Sequence, residues 1–256
     1  MLVHSFSTLK WHNVGMSKLV KSLILKFFYP IYEKTLLQAK VGQGVAKVNY
    51  ENFGSDRESD ISDHLNLLNL FVELLQPSVI VELGTRGGES TRVFTRYTSN
   101  HDCQGYGVDL SPKPNWITES MNWKHFVSDD CALGNEIEKE SKWPDGTPFK
   151  LIDLLFIDTS HEYEHTLREL AVWTSLVNSG GWILFHDTNL SGTATRRLSG
   201  GMNYGWDNSR GVTKAIEEFF QIHITEKQYY SSKVNGKADF IFHVPWNNGL
   251  TALRVK

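Results

Sequence analysis

The stretch Glu82-Leu83-Gly84-Thr85-Arg86-Gly87-Gly88-Glu89-Ser90 decides the fold of this chain, because it joins a predicted strand to a predicted helix through a glycine-rich turn. The residues before it, Ser78-Val79-Ile80-Val81, are mostly β-branched, as in a buried parallel strand. The residues after it, Thr91-Arg92-Val93-Phe94, suit the opening of a helix that Ser90 can cap. Glycine lacks a Cβ, so such a turn lets the backbone approach a ligand closely. Taken alone, the stretch also fits an ordinary strand–helix turn without a ligand.

The spacing of the acid and the glycines within this turn favours one cofactor class. Gly84 and Gly88 are four residues apart, which does not fit the dinucleotide spacing G-x-G-x-x-G. Together with Glu82 they resemble the E-x-G-x-x-x-G turn by which class I methyltransferases hold S-adenosylmethionine (SAM). The resemblance implies that the following residues of the turn bind SAM: Glu82, Gly84, Thr85, Arg86, Gly88 and Ser90.

Short apolar runs alternate with helical patterns along the rest of the chain. The predicted strands are residues 79–83, 105–110, 125–128, 151–157 and 182–185. The predicted helices are residues 61–75, 90–97, 132–142, 162–177 and 212–220. Two further strand-like runs, 224–231 and 239–244, flank Asn235-Gly236, which is a strong hairpin signal. This order predicts an α/β fold, a Rossmann-like, doubly wound and mainly parallel sheet of seven strands with one antiparallel strand from the terminal hairpin.

The chain is predicted to have two parts, an N-terminal helical extension at residues 1–57 and a SAM-dependent methyltransferase domain at residues 58–256. Residues 18–32 of the extension combine lysines with leucines and phenylalanines, and Pro30 interrupts the apolar stripe. We interpret this segment as a helix that packs on its own domain or on a second subunit, giving a homo-oligomer through the N-terminal helices. A basic helix on a membrane surface is the alternative that we favour less. No apolar run approaches the ~20 residues of a membrane span, and we expect no signal peptide.

The composition is that of an ordinary globular protein. Of 256 residues, 40% are hydrophobic and 21% are charged, which is enough material for a core. The net charge of −3 gives no electrostatic reason to expect a nucleic-acid partner. Cys103 and Cys131 are too few for a disulfide framework and are not in a C-x-x-C pair. We therefore expect buried thiols and a cytoplasmic protein.

Carboxylates follow the second and third predicted strands, at the edge where a doubly wound sheet binds its ligands. Asp109 ends the second strand about 25 residues after the glycine turn, and an acid there can accept hydrogen bonds from both ribose hydroxyls of an adenosine cofactor. Asp129 and Asp130 follow the third strand. In class I methyltransferases an acid at this place faces the adenine amine, so the resemblance makes either residue a SAM ligand. Capping of the next helix is the alternative for both.

The helix before the first strand opens with Asp60, Ser62 and His64. Similar enzymes place a lid over the cofactor at this point. These residue types also cap helices, and we favour the capping interpretation.

Aspartate and histidine residues follow the fourth and fifth predicted strands. The fourth strand ends with Asp158, and the fifth ends with His186-Asp187. If the two strands are neighbours, ~4.8 Å apart, these side chains converge at the ligand edge of the sheet. Carboxylates brought together without a counter-charge repel each other, so a divalent cation is the natural occupant. Asp158, His186 and Asp187 are therefore the predicted metal ligands, although each one alone could cap a loop.

His161 is the candidate catalytic residue. It lies three residues after Asp158, on the loop that leads into the next helix. A neutral imidazole there can accept the proton of a substrate hydroxyl whose pKa the metal lowers. The alternative role for His161 is capping that helix. His165, one helical turn further on, is ranked behind it as an assisting or packing residue.

From about Asp60 to Val244 the chain resembles the metal-dependent O-methyltransferases of sugars and natural products, a branch that includes macrolide-sugar methyltransferases and cephalosporin-tailoring enzymes. The resemblance implies Mg²⁺ held by an Asp after strand four and by an acid–Asp pair after strand five, with a His as base. Asp158, His161 and Asp187 fall on those positions, and Asp158 counts among the SAM-binding residues as well. The departure is His186, where better-studied members carry an acid. A histidine makes Mn²⁺, Fe²⁺ or Zn²⁺ more acceptable, and Asn189 is an alternative oxygen ligand.

Residues 190–211, between the fifth strand and the next helix, are too many for a plain connection and suggest a substrate lid. Aromatic and polar groups together suit stacking on a sugar ring or an aromatic acceptor. The predicted substrate-binding residues are Tyr204, Trp206 and Arg210. A plain surface loop is the alternative.

The sequence thus predicts a SAM-dependent O-methyltransferase that needs Mg²⁺, or Mn²⁺ or Fe²⁺, and acts in natural-product biosynthesis. The acceptor is a small molecule with a hydroxyl group, and sugar, polyketide and phenol acceptors all fit. Two alternatives stay open. The first is an oxygenase-type tailoring enzyme on the same fold, and the second is a non-catalytic SAM-binding scaffold.

Overall fold

A computed structural model describes residues 53–55, 58–190, 194–197, 202–204 and 209–256, and most of them build one eight-stranded sheet with helices on both faces. The predicted N-terminal helix at residues 18–32 lies outside the described residues, and so does nearly all of the extension. Within the part of the chain that the structure describes, no helix is long and apolar enough to cross a membrane.

The sheet is mainly parallel. Its strands are β1 Val79–Leu83, β2 Gln104–Asp109, β3 Trp123–Val127, β4 Ile152–Ile157, β5 Val177–His186, β8 Tyr230–Lys233, β9 Ala238–Val244 and β10 Leu250–Val255. The strand order is β3-β2-β1-β4-β5-β10-β9-β8. The pairs among β1 to β5 are parallel, whereas β10 is antiparallel to both β5 and β9, and β8 is antiparallel to β9. A separate small hairpin is formed by β6 Ala194–Arg196 and β7 Met202–Tyr204.

The predicted doubly wound sheet is confirmed, but the predicted number of strands is wrong by one. The strand that was not predicted is β10, which is inserted between β5 and β9 and separates the terminal hairpin from the parallel strands. Five of its six residues are buried, including Thr251, so it lacks the alternation of polar and apolar residues that marks a strand with one exposed face.

Five α-helices lie in the described ranges. They are α1 Leu65–Leu75, α2 Glu89–Thr98, α3 Asp130–Glu140, α4 Tyr163–Trp173 and α5 Gly211–Phe220. α1 begins later than predicted, because residues Ser62–His64 form a 3₁₀ turn. α4 ends earlier than predicted, because Val177 already pairs with Ile152 of β4 and belongs to β5.

The sheet separates two apolar layers. Side chains of β4 show the alternation clearly: Leu154 and Phe156 pack in the layer with α1 and α2, and Leu155 and Ile157 pack in the layer with α3, α4 and α5. Because both faces are covered, the carboxyl ends of β1 to β5 form one open edge between the layers. In folds of this kind ligands bind at that edge.

Candidate functional site

The sheet register brings the ends of β1, β4 and β5 to one level. Leu83 pairs with Ile157, and Ile157 pairs with Phe185. The residues that follow, Asp158 and His186, therefore leave adjacent strands side by side. This is the convergence that the sequence predicts.

Asp158, His186 and Asp187 offer ligand atoms that all lie within 4.8 Å of one another. The Nδ1 atom of His186 is 3.2 Å from Oδ1 of Asp158 and 3.2 Å from Oδ2 of Asp187. Asp187 is buried, and its Oδ1 accepts no hydrogen bond from any residue that the structure describes. A buried carboxylate in this state needs a positive partner. Two carboxylates and an imidazole are donors that suit a divalent cation, so these residues fit a metal site.

His161 lies against the same carboxylates. Its Nε2 atom is 2.7 Å from Oδ2 of Asp187 and 3.3 Å from Oδ1 of Asp158. Burial lowers the pKa of His161, but hydrogen bonding to Asp158 and Asp187 and their negative charge outweigh burial and raise the pKa to about 10. While the carboxylates carry their full charge, His161 therefore holds a proton at neutral pH and cannot accept another.

The other members of the site respond to the same charges. Burial raises the pKa of Asp158 and of Asp187, but the positive charge of His186 and the bonds from both imidazoles outweigh it and lower both. The pKa of His186 is raised, because the charge of Asp187 and Asp158 outweighs burial. The two protonated rings thus supply the positive charge that the buried carboxylates require.

Two residues of the site have left-handed backbone torsions, which glycine favours and other residues rarely adopt. The φ angle is 62° at His161 and 57° at Asp187. Such strain persists only where the surrounding structure holds it, and it concentrates at functional sites. It is consistent with side chains that are held for a chemical task.

The backbone of the glycine turn contacts the backbone of Asp158, which follows β4. Gly84 has φ 84°, and a Cβ there would lie 2.0 Å from the carbonyl oxygen of Asp158. Gly88 has φ 81°, and a Cβ there would lie 2.6 Å from the ring of Trp116. The four-residue spacing of the glycines therefore has a packing reason at each end, and it places the predicted SAM turn directly beside Asp158.

Asp109 is bonded to this turn. Its Oδ2 accepts from the backbone N–H of Thr85 and of Arg86, both at 2.8 Å, and its Oδ1 accepts from the N–H of Ser111 at 2.7 Å. Burial raises the pKa of Asp109, but these backbone bonds outweigh it and lower the pKa. Asp109 therefore stays ionised, half-exposed at the ligand edge, with lone pairs left to accept from hydroxyl groups.

Glu82 and Ser90 lie beneath the turn. Glu82 is buried and accepts hydrogen bonds from Ser90 Oγ at 2.6 Å, Thr91 Oγ1 at 2.5 Å and Thr85 Oγ1 at 3.4 Å. Burial raises the pKa of Glu82 to about 8 in spite of these donors. Neither side chain presents surface to a ligand, so the structure places them as supports of the turn.

The two acids after β3 have different surroundings. Asp129 is exposed, and its Oδ1 caps α3 by accepting from the N–H of Ala132 at 2.8 Å. Asp130 is buried and pairs with Nε2 of His165 at 3.1 Å. The capping alternative is confirmed for Asp129, and an adenine contact by either acid stays a prediction.

The segment before α1 reaches the metal-site residues. Asp60 forms an ion pair with Arg86 of the glycine turn at 3.3 Å. The buried ring of His64 packs edge-on against His186, with ring centroids 5.2 Å apart. The favoured interpretation as helix caps is wrong for His64, whose side chain makes no capping hydrogen bond to the described part of α1. Sequence spacing carries no signal for this contact, because the two histidines are far apart along the chain.

Asn189 is engaged away from the metal-site residues. Its Nδ2 donates to the carbonyl of Pro245 at 2.7 Å, and its Oδ1 accepts from Nζ of Lys227 at 2.8 Å. The amide thus fastens the turn between β9 and β10. Of the two candidate third ligands, His186 is the one that lies in the cluster.

The predicted lid contains the hairpin of β6 and β7, which the sequence analysis did not predict. Tyr204 ends β7, and Trp206 lies outside the described residues. Arg210 directly precedes α5, where its Nε is 2.8 Å from Glu226 and its Nη2 is 3.2 Å from Glu217. Two carboxylates hold this guanidinium, so the structure does not offer Arg210 to a substrate as an unpaired cation.

Comparison with known proteins agrees with this architecture. Residues 81–188 match the family model described as a methyltransferase domain, a range that contains the glycine turn, Asp109 and the metal-site residues. The rhamnosyl O-methyltransferase of Mycobacterium tuberculosis (strain ATCC 25618 / H37Rv) is 25% identical over 193 residues, which cover 70% of this chain and 74% of that protein. An O-methyltransferase from Bacillus cereus in complex with SAH has a similar fold, with a TM-score of 0.51, 16% identity and coverage of 93% and 97%. An SAH-bound methyltransferase from Podospora anserina also has a similar fold, with a TM-score of 0.51 and 15% identity. The match covers 91% of this chain and 98% of that protein.

Proposed function

We propose that this chain, a SAM-dependent O-methyltransferase of class I fold, requires a divalent cation and methylates a hydroxyl group of a sugar or a sugar-bearing natural product. The observation that carries the proposal is the convergence of Asp158, His186 and Asp187 within 4.8 Å, beside His161. The convergence lies at the sheet edge that also holds the glycine turn. A cofactor turn, a cation site and a base at one edge form the set that this reaction needs.

The cofactor part of the site has a polar and an apolar component. SAM supplies a methyl group that its sulfonium already activates. Asp109 offers its carboxylate to the ribose hydroxyls, and the backbone of Thr85 and Arg86 is held in place by the same carboxylate. Leu110 and Val127, at the ends of β2 and β3, are 76% and 61% exposed. Apolar side chains left open beside Asp109 suit an adenine ring.

The catalytic part of the site consists of His161 and its carboxylate neighbours. When bound, a divalent cation lowers the pKa of an acceptor hydroxyl and offsets the charge of Asp158 and Asp187. With that charge offset, the pKa of His161 would lie below about 10, because burial lowers it and the carboxylate charge is what raises it, and a neutral ring could accept the hydroxyl proton. The loop, with its left-handed φ at His161, holds the imidazole against Asp187, beside the position proposed for the acceptor hydroxyl.

The acceptor class is supported by similarity. The relative that covers about 70% of this chain is named for transfer to a rhamnosyl group. β6 and β7 form a hairpin within the predicted lid, and Asn203 of β7 donates to Asn248, which precedes β10, at 3.0 Å. We propose that residues 58–256 form the catalytic domain. We also propose that the enzyme works in the cytoplasm, where its buried thiols Cys103 and Cys131 stay reduced.

The direct test is methyl transfer with isotope-labelled SAM. The purified protein is incubated with methyl α-L-rhamnoside and, in parallel, with an extract of its own organism, with and without Mg²⁺. We expect a labelled O-methyl product by mass spectrometry only where the cation is present. Equal yield in anaerobic buffer separates methyl transfer from an oxygenase reaction, because methylation consumes no O₂. Tight SAM binding without any labelled product would instead support the scaffold alternative.

Asp109→Ala should weaken SAM binding by about 2–4 kcal/mol, roughly 30- to 900-fold in Kd, because a carboxylate that bonds two ribose hydroxyls is lost. Isothermal calorimetry with SAM and with SAH measures the change. The exposed Asp102 provides a matched control, and Asp102→Ala should bind SAM as the unmodified protein does. Tight binding of NAD with none of SAM would contradict the cofactor assignment.

His186→Glu should shift the metal preference towards Mg²⁺, because it replaces a neutral nitrogen donor by a charged oxygen donor. The measurement is the ratio of the half-saturating concentrations of Mg²⁺ and Mn²⁺ in the methyl-transfer assay. His186→Gln is the control, since it supplies an oxygen without the charge. An unchanged ratio in the glutamate variant would show that His186 does not bind the cation.

A further inference from the structure

Glu169 is a buried acid in the middle of α4, with none of its surface exposed. Acids are almost never fully buried unless they have a partner. The hydroxyl of Thr159 donates to its Oε1 at 2.7 Å, and Nε2 of His165 lies 3.5 Å from the same oxygen. Its Oε2 accepts no hydrogen bond from any residue in the described ranges. Burial and the nearby Asp130 raise the pKa of Glu169 to about 7.

His165 links Glu169 to the start of α3. Its Nε2 is 3.1 Å from Oδ2 of Asp130, and its Nδ1 is 3.2 Å from the guanidinium of Arg168. Hydrogen bonding to Glu169 and the charges of Glu169 and Asp130 raise the pKa of His165 to about 9, so Nε2 carries a proton that faces both carboxylates. The carbonyl of Asp130 also accepts from the indole N–H of Trp173 at 3.2 Å. Asp130, Thr159, His165 and Glu169 thus form one polar cluster, with Asp130 and Glu169 buried, that connects α3 and α4 to the loop after β4.

This cluster holds the loop that carries His161, the candidate base, through the hydrogen bond from Thr159 to Glu169. Thr159 directly follows Asp158, whose N–H donates to the carbonyl of Leu83 at 2.9 Å. On the far side, Gly211 packs so closely that a Cβ there would lie 2.7 Å from the carbonyl oxygen of His161. The hydroxyl of Thr159 is the side-chain anchor between these two backbone contacts. His161, with its left-handed φ of 62°, depends on such anchoring to keep its ring against Asp187.

We propose that Thr159 and Glu169 are positioning residues, which hold the loop so that His161 faces the acceptor hydroxyl, with Asp130 and His165 as the anchor of Glu169. The inference rests on the proposed function, since it takes His161 as the proton acceptor. A displacement of about 1 Å at a reacting group is enough to lower turnover about 100-fold. The loss of the hydrogen bond from Thr159 to Glu169 is therefore expected to lower the rate more than the SAM affinity.

The test compares Thr159→Val, which removes the hydroxyl at nearly constant volume, with Thr159→Ser, which keeps it. With methyl α-L-rhamnoside as acceptor probe, Thr159→Val should lower kcat about 10- to 100-fold with an unchanged KM for SAM, and Thr159→Ser should stay close to the unmodified enzyme. Hydrogen exchange of residues 158–162, followed by mass spectrometry, should speed up in Thr159→Val and not in Thr159→Ser. This second measurement requires no acceptor.

A double-mutant cycle separates positioning from a general structural effect. If Thr159 acts through His161, the double variant Thr159→Val/His161→Ala is no slower than His161→Ala alone, within about twofold. If the fold-decreases in kcat of the two single variants multiplied in the double variant, the proposal would be overturned. A Thr159→Ser enzyme as slow as Thr159→Val would also overturn it. Binding of one equivalent of zinc to the unmodified protein, with no binding to Cys131→Ser, would also overturn the proposal, because the cluster would then be a metal site.

A different result would contradict the proposed function. If His161→Ala kept full turnover, His161 would not be the base. A slow His161→Ala enzyme beside a fully active Thr159→Val enzyme overturns only the positioning role.

Discussion

Asp158→Ala and Asp187→Ala are each expected to lower methyl transfer by at least roughly a thousandfold, because the stabilisation that a bound cation gives the reaction amounts to several kcal/mol. Both carboxylates belong to the cluster within 4.8 Å, and Oδ1 of the buried Asp187 has no hydrogen-bond donor among the described residues. The measurement is the rate of SAH formation at saturating Mg²⁺, together with the thermal unfolding midpoint. The fold should persist, since both residues follow strands whose core positions are unchanged.

Chelation gives the matching experiment on the unmodified enzyme. Activity should disappear in excess EDTA and return when Mg²⁺ or Mn²⁺ is added. The exposed Asp102→Ala variant should behave as the unmodified enzyme does in both steps. Full turnover in excess EDTA would contradict the metal requirement, whatever the two aspartate variants do.

The predicted convergence of Asp158 and His186 shows what a sequence can reveal about such a site. The strand ends follow from local patterns, and parallel neighbours in a doubly wound sheet place their carboxyl ends at one edge. The position of β10 could not be predicted in the same way. It depends on insertion between β9 and β5, of which β5 is far away along the chain, and burial of both its faces removes the alternating pattern.

Individual roles within the site were harder to predict than its location. Glu82 was expected to contact SAM, but three neighbouring hydroxyl groups engage it beneath the turn. Arg210 was expected to contact substrate, but Glu217 and Glu226 lie within its reach in the folded chain. The packing of His64 against His186 follows from how α1 docks on the sheet. Each of these depends on tertiary contacts, which residue spacing does not encode.

His161→Ala is expected to lower kcat by roughly 10²–10⁴-fold, with SAM and metal affinity nearly unchanged, because the variant loses the group that accepts the acceptor proton. A base has to be unprotonated to act, so kcat/KM should fall as the pH drops through the pKa of His161. That pKa is about 10 because hydrogen bonding to Asp158 and Asp187 and their charge outweigh burial, so offsetting the charge lowers the pKa. The acid limb of the pH profile should therefore lie below about pH 10.

His223→Ala is the matched control for this experiment, because its imidazole is 81% exposed and pairs with Glu217. It should leave both the rate and the pH profile unchanged. In His161→Ala, the acid limb itself should vanish, since the group that titrates is gone, and the remaining rate should vary little across the same pH range. A His161→Ala enzyme that keeps wild-type turnover and the original acid limb would show that the proton leaves the acceptor by another route, with water as the acceptor.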